Sequence, residues 1–325
     1  MPGKTFETTI VKRTLRWVLI LLIAAAVAGY GYYRARDPEQ GPLDDAARAA
    51  AGGEYASLSD GLTHYELSGP EGGAPVVLVH GFSVPYYIWD STTVALSRAG
   101  YRVLRYDVYG RGTSDRPDAV YGAELYDRQL GELLAATGIT GPVHLMGLSA
   151  GGFVVATFAG RHPERVRSVT LIDPIAGPRS PLPWTLRLPV IGPMVWQATA
   201  VPGMADGQLS DFVEPAKWPD WPDRYRPQMR YRGFGRALWS SVMALAEVEM
   251  DSVYATLSAT ALPVMLIWGE QDATVPIELA AGVRRAIPAV RFHPIPRAGH
   301  LPHMERTDLV NPLLMEFLGP PAPVP

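Results

Sequence analysis

The 325-residue sequence contains no cysteine. That excludes disulfides, thiolate metal sites, cysteine nucleophiles and a lipid-modified N-terminal cysteine. Histidine is sparse, with 7 residues scattered along the chain. No H-E-x-x-H motif or close acid–histidine group occurs, so no metal ion is expected. A surplus of positive charge is also missing. The formal net charge is −3, which argues against nucleic acid as a partner. The glycine pair Gly110 and Gly112 fits neither G-x-G-x-x-G nor G-K-[ST]. Gly110-Arg111-Gly112 reads instead as a tight turn, with Asp107 and Ser114 satisfying local backbone groups. There is no internal repeat.

One long uncharged run is present, Trp17 to Tyr33. Its length is near the lower limit of about 17 residues for a membrane-spanning helix. Lys4, Lys12, Arg13 and Arg16 precede it, and Arg34 and Arg36 follow. Trp17, Tyr30, Tyr32 and Tyr33 stand like interfacial anchors. The basic excess before the run places the N-terminus in the cytoplasm and the rest of the chain across the membrane. Ala26-Val27-Ala28 offers the competing reading, a signal peptide cleaved to leave a secreted or periplasmic protein. The aromatic cluster favours a retained anchor. Residues 1–16 are thus a basic segment, 17–33 the anchor and 34–53 a tether rich in Ala, Gly, Pro and charge.

Beyond the tether, apolar strands alternate with helices. Pro75–Val79, Tyr101–Tyr106, Val143–Leu148, Val166–Ile172 and Val264–Trp268 have the composition of buried parallel strands. Helices are expected over about Ile88–Arg98, Ala123–Ala136, Phe153–Gly160, Ile277–Ala286 and Asp308–Leu318. The pattern predicts an α/β fold with a mostly parallel sheet covered on both faces. Residues 54–173 and 263–319 form this core, and 320–325 a disordered proline-rich tail. Between them, 174–262 breaks the rhythm and carries five of the 8 tryptophans. It reads as an inserted, mainly helical lid, with Trp184, Trp196 and Trp239 as candidate substrate contacts. A packed accessory layer without a gating role is the plainer alternative.

The chemistry converges on strand ends, where ligands bind in such sheets. Gly147-Leu148-Ser149-Ala150-Gly151 has the form G-x-S-x-G, a serine on a sharp strand-to-helix turn with small neighbours that let the turn close. A serine hydroxyl needs a base, and the base needs an orienting partner. His300, after Ala298-Gly299, supplies the base. Asp272, after Trp268-Gly269, supplies the acid, and the order serine, acid, histidine suits the architecture. Glu270 and Asp173 also follow strands and are the alternative acids, with Asp272 preferred. The amides of Ala150 and Phe82 are the candidate oxyanion donors. His80 reads as a brace for the Phe82 loop.

His80-Gly81-Phe82, Asp107-x-x-Gly110-x-Gly112-x-Ser114, Gly147-x-Ser149-x-Gly151-Gly152, Trp268-Gly269-x-x-Asp272 and Gly299-His300 occur in that order. Over about Tyr55 to Leu318 the chain resembles the α/β-hydrolase superfamily, and its lid is similar to those of esterases and monoacylglycerol-lipase-like enzymes. The resemblance implies Ser149 as nucleophile, His300 as base, Asp272 as its acid, and an oxyanion hole at Phe82 and Ala150. It implies no cofactor. Many relatives carry methionine where this chain has Ala150, which blurs the branch.

The resulting expectation is a membrane-tethered serine hydrolase of lipophilic carboxylic esters. A carbon–carbon bond hydrolase or perhydrolase of the same fold is the alternative within enzymes. A hydrolase-like receptor or binding module is the alternative outside them. The oligomeric state is not assigned.

Overall fold

A computed structural model of the chain describes residues 3–178 and 181–321. Eight strands form one sheet: β1 (Glu54–Leu58), β2 (Gly61–Ser68), β3 (Pro75–Val79), β4 (Arg102–Tyr106), β5 (Val143–Leu148), β6 (Val166–Ile172), β7 (Val264–Gly269) and β8 (Arg291–Ile295). Their spatial order is β1-β2-β4-β3-β5-β6-β7-β8. The hairpin β1–β2 and the β2–β4 pair are antiparallel; the remaining pairs are parallel.

Strands β3, β5 and β7 are buried along their whole length. Residues of β3 alternate between two cores because successive side chains point to opposite faces. Val77 and Val79 pack with Leu145, Phe158 and Leu266 on one side, whereas Val76 and Leu78 pack with Trp89, Met146 and Ile267 on the other. The first layer is covered by helices Ala123–Ala136, Ala150–Arg161, Met250–Ala259 and Ala280–Ala286. The second is covered by Asp90–Arg98 and Thr307–Leu318. This is the covered, mostly parallel sheet that the apolar runs predict.

Strand β3 lies between β4 and β5. The chain leaves β3 toward one edge of the sheet, then returns and leaves β5 toward the other. The loops after β3 and β5 therefore diverge, and a crevice opens at their carboxyl ends. His80 to Val84 and Ser149 fall at that point.

Between β6 and β7 lies the expected insertion. Its regular pieces are short: helices Ile191–Thr199, Met204–Gly207, Trp221–Met229 and Phe234–Ala246, with 3₁₀ turns between them. Helix Met250–Ala259 follows and packs on the sheet with the first core.

The N-terminal segment differs from the expectation in two ways. The first helix spans Gly3–Arg36, beyond both ends of the apolar run. Its stretch Val11–Arg36 is long and apolar enough to cross a membrane, and its most apolar window is unburied. Within residues 34–53, expected as a tether, the stretch Arg36–Gly41 is instead docked on the insertion. Arg36 Nε donates to Ala198 O at 2.9 Å, and Gln197 Nε2 donates to Asp37 Oδ1 at 2.7 Å. Glu39 accepts the amides of Gly233 (2.8 Å) and Gly235 (3.0 Å), at the start of helix Phe234–Ala246. Gln40 N donates to Arg230 O at 2.7 Å, and Arg232 N donates to Gly41 O at 2.7 Å. Helix Asp45–Ala51 follows, with Asp44 capping the Ala47 amide. The polar composition that reads as a solvated linker serves here to pair with backbone nearly 200 residues away. Residues 322–325, most of the expected disordered tail, lie outside the described residues.

Hydrogen bonds to a charged acceptor contribute about 1.5–3 kcal/mol each when buried. Glu39→Ala should therefore release residues 37–44 from the insertion. The check is limited proteolysis in detergent micelles, where cleavage between Arg36 and Glu54 should accelerate at least several-fold. Unchanged cleavage would show that Glu39 does not secure the docking.

Candidate active site

Strand β5 ends at Leu148, and helix Ala150–Arg161 starts two residues later. Ser149, between them, has φ 51° and ψ −118°. A non-glycine residue in such a conformation costs about 1–3 kcal/mol and persists only where its surroundings hold it. Here Ser149 N donates to Ile172 O at 2.9 Å, and Ser149 O accepts from Gly152 N (2.9 Å) and Ile175 N (3.3 Å). The flanking glycines are required by space. A Cβ on Gly147 would lie 2.3 Å from Gly151 O, and one on Gly151 would lie 2.3 Å from Val79 O.

Asp272 sits in the turn after β7. Its Oδ1 accepts the amides of Thr274 and Val275, each at 2.8 Å. Its Oδ2 lies 2.8 Å from His300 Nδ1. The carboxylate is thus fixed from both oxygens, and a proton on His300 Nδ1 directs a bare Nε2 away from it. The His300 amide donates to Asp211 O at 2.9 Å, tying the histidine loop to the insertion. Burial disfavours an imidazolium at His300. The hydrogen bond to Asp272, its charge and that of Asp211 outweigh burial and hold the pKa above the ordinary 6.5.

The two other carboxyl groups considered from sequence separate cleanly. Glu270 is exposed. Asp173, at φ 42°, is fully buried and accepts the Gly269 amide on Oδ1 at 2.8 Å. Asp173, Asp272 and His300 offer polar atoms within 4.8 Å of one another. Burial first, then the neighbouring Asp272 charge, push the Asp173 pKa well above the carboxylate range. Two like charges this close in a buried site do not both ionise. Asp173 is the member of the pair pushed toward its protonated form.

His80 braces the loop after β3, as its position predicts. Nδ1 lies 2.9 Å from Gly81 O, and Nε2 accepts the Val108 amide at 3.0 Å. Burial lowers its pKa to about 4, so the ring is neutral. Gly81 closely approaches Ser149: a Cβ there would lie 3.3 Å from the serine Cβ. Arg111 secures the next residue from the other side. Its Nε donates to Phe82 O at 2.8 Å, and its other nitrogens reach Tyr109 O, Tyr126 Oη and Ser241 Oγ. The sequence offers Gly110-Arg111-Gly112 as a turn, and nothing in that turn signals a buried guanidinium beneath the Phe82 loop.

A cavity of about 240 Å³ opens beside these groups. Gly81, Phe82, Ser83, Leu148, Ser149 and His300 line one side, and Gln208, Ser210, Asp211 and Thr274 the other. Phe82, Ser149 and His300 therefore meet in one space, and Ala150 follows Ser149 at the helix start. The three lid tryptophans are not among its lining residues. Trp184 is exposed, Trp239 donates its indole N–H to Leu186 O at 3.0 Å, and Trp196 packs with the second core. An aromatic-rich insertion needs its rings for its own packing. Asp211, which sequence reasoning missed, takes the expected place of the tryptophans. Its Oδ1 accepts the Thr274 hydroxyl at 2.7 Å. Burial leaves its pKa raised, against the opposing effects of His300 and that hydroxyl.

A switch-point crevice holding a strained serine and an oriented histidine–carboxylate pair defines a nucleophile-elbow site on a doubly covered α/β sheet. The profile of the alpha/beta hydrolase fold family matches residues 74–307, and the chain belongs to that family. It is similar to Lipase 1 of Psychrobacter immobilis, 24% identical over 75% of this chain and 76% of that protein. Among solved structures, a thermophilic esterase from Thermogutta terrifontis is 27% identical with a TM-score of 0.67, covering 82% of this chain and 98% of its own. A meta-cleavage product hydrolase from Pseudomonas fluorescens is likewise 27% identical with a TM-score of 0.67, covering 83% and 98%.

Two outcomes follow from these electrostatics. If His300 is the base, its protonation should lower kcat/KM as pH decreases, with a midpoint above 6.5. An optimum in acid would contradict the assignment. Asp272→Asn should lower kcat about 10⁴-fold, whereas Asp173→Asn, which replaces a neutral acid, should stay within about tenfold of wild type. Steady-state rates of the purified variants decide this, and the reverse ranking would make Asp173 the working acid.

Proposed function

We propose that this chain is a serine hydrolase of carboxylic esters, anchored to a membrane by its N-terminal helix. The observation that carries the proposal is the meeting of Ser149 and His300 in one cavity, with His300 held on Asp272. His300 Nε2 takes the Ser149 proton as the oxygen attacks the ester carbonyl. The amides of Phe82 and Ala150 receive the negative charge, each donor contributing about 2.7–4 kcal/mol to lowering the barrier. His300 then returns the proton to the departing alcohol. Water, activated by the same nitrogen, releases the acid from Ser149.

The cavity supports a refinement of the lipophilic substrate expected from sequence. Its volume of about 240 Å³ is below the roughly 300–1,000 Å³ of sites for drug-sized ligands. That favours short acyl groups over long chains. Asp211 on the wall disfavours a negatively charged acyl group. The likeness to the meta-cleavage product hydrolase keeps carbon–carbon bond cleavage as a second reading.

Labelling of the full-length protein with a fluorophosphonate tests the nucleophile. Wild type should be labelled and Ser149→Ala should not, with its esterase kcat reduced about 10⁶-fold. Equal labelling of the two proteins would sink the proposal, as would wild-type hydrolysis of diketones but no ester.

A further inference from the structure

Trp184, Val190 and Ile191 are large apolar residues exposed to 72%, 74% and 50% on the insertion. They are not loosely held. Leu186 between them is buried, and its carbonyl accepts the Trp239 indole N–H. Val190 has φ 65°, a left-handed conformation that is unfavourable for a β-branched side chain. The chain thus presents an apolar residue outward at a backbone cost, with no internal packing in return.

The surroundings of this patch point to what covers it. Helix Ile191–Thr199, which begins at the patch, packs against the end of helix Gly3–Arg36. The contact is secured by Arg36 to Ala198 O and by Gln197 to Asp37. The candidate membrane span is therefore fixed to the helix that begins at the patch. Charge agrees: from Pro174 to Ala205 the sequence has no acidic residue. Arg187 sits within the patch, paired at 3.2 Å with Glu247 from the end of helix Phe234–Ala246, and Arg34 and Arg36 lie at the end of the span. Exposed Trp, aliphatic and Arg side chains together suit the headgroup–acyl boundary of a bilayer.

We propose that the insertion tip, Trp184 with Val190 and Ile191, rests in the interfacial layer of the bilayer that helix Gly3–Arg36 crosses. The inference depends on the anchoring part of the proposed function and not on its chemistry. The protein then has two membrane contacts held rigidly to each other. They fix the orientation of the insertion, whose Gln208–Asp211 turn lines the cavity beside Ser149.

The absence of native cysteine allows a direct test. Single cysteines V190C, L21C and V94C are introduced in the full-length protein, labelled with the environment-sensitive NBD fluorophore and reconstituted into nanodiscs. Doxyl-labelled lipid should quench the labels at positions 190 and 21 several-fold, while position 94, on the core helix Asp90–Arg98, stays unquenched. Quenching at 21 with position 190 behaving like 94 would overturn the inference and leave the anchor standing. No quenching at 21 would remove the anchor and the inference with it. W184C replaces V190C if the latter does not fold, with the same outcomes required. Quenching of position 190 by a labelled second copy, and not by lipid, would assign the patch to self-association and overturn the inference.

Discussion

A serine with positive φ, wedged between two glycines that admit no side chain, sets the terms for the rest of this structure. The turn needs β3 close enough that Val79 O fills the space beside Gly151, and β6 close enough that Ile172 O receives the serine amide. Both strands are held in the packed sheet, because a strained turn persists only on a rigid base. The two-layer core supplies that base. The Ser149 side chain is thereby positioned by sheet packing.

The electrostatics have a similar economy. Four ionisable side chains, Asp173, Asp211, Asp272 and His300, share one small volume, and their environments separate their roles. Asp272 receives three hydrogen bonds and serves as the anion. Asp173 receives one from the backbone and is neutral by burial and by its neighbour. Kept neutral, Asp173 adds no second charge beside His300. Asp211 faces the cavity and acts on whatever enters it.

What was legible in the sequence shares one property: its signal is local. The buried strands appear as apolar runs. The elbow, the acid and the base appear as residues beside a glycine at a strand end, and the structure gathers them as that position implies. Glu270, one residue beyond β7, could be set aside for the same reason. What could not be read depends on partners far along the chain. Asp211 meets Thr274 and His300 only after folding, and Arg111 meets Phe82 and Ser241 across two loops. The tryptophans show the limit in the other direction. Composition announces that rings must be buried or placed at an interface, but not which of the two, and Trp184, Trp196 and Trp239, the substrate contacts it suggests, are not among the residues lining the cavity beside Ser149. Residues 34–53 show it again, since acidic side chains destined for backbone amides look the same as solvated ones.

The docking of Glu39 on the amides of Gly233 and Gly235 bears on how this protein can be handled and processed. A soluble fragment that begins at β1 would strip the insertion of the acceptors for two helix-start amides and of its pairing with Gly41. The natural point of separation lies upstream, within the helix. A cut after Ala28 would leave Arg36, Asp37 and Glu39 in place, and with them the docking. The docked segment belongs to the folded body, and the apolar helix precedes it.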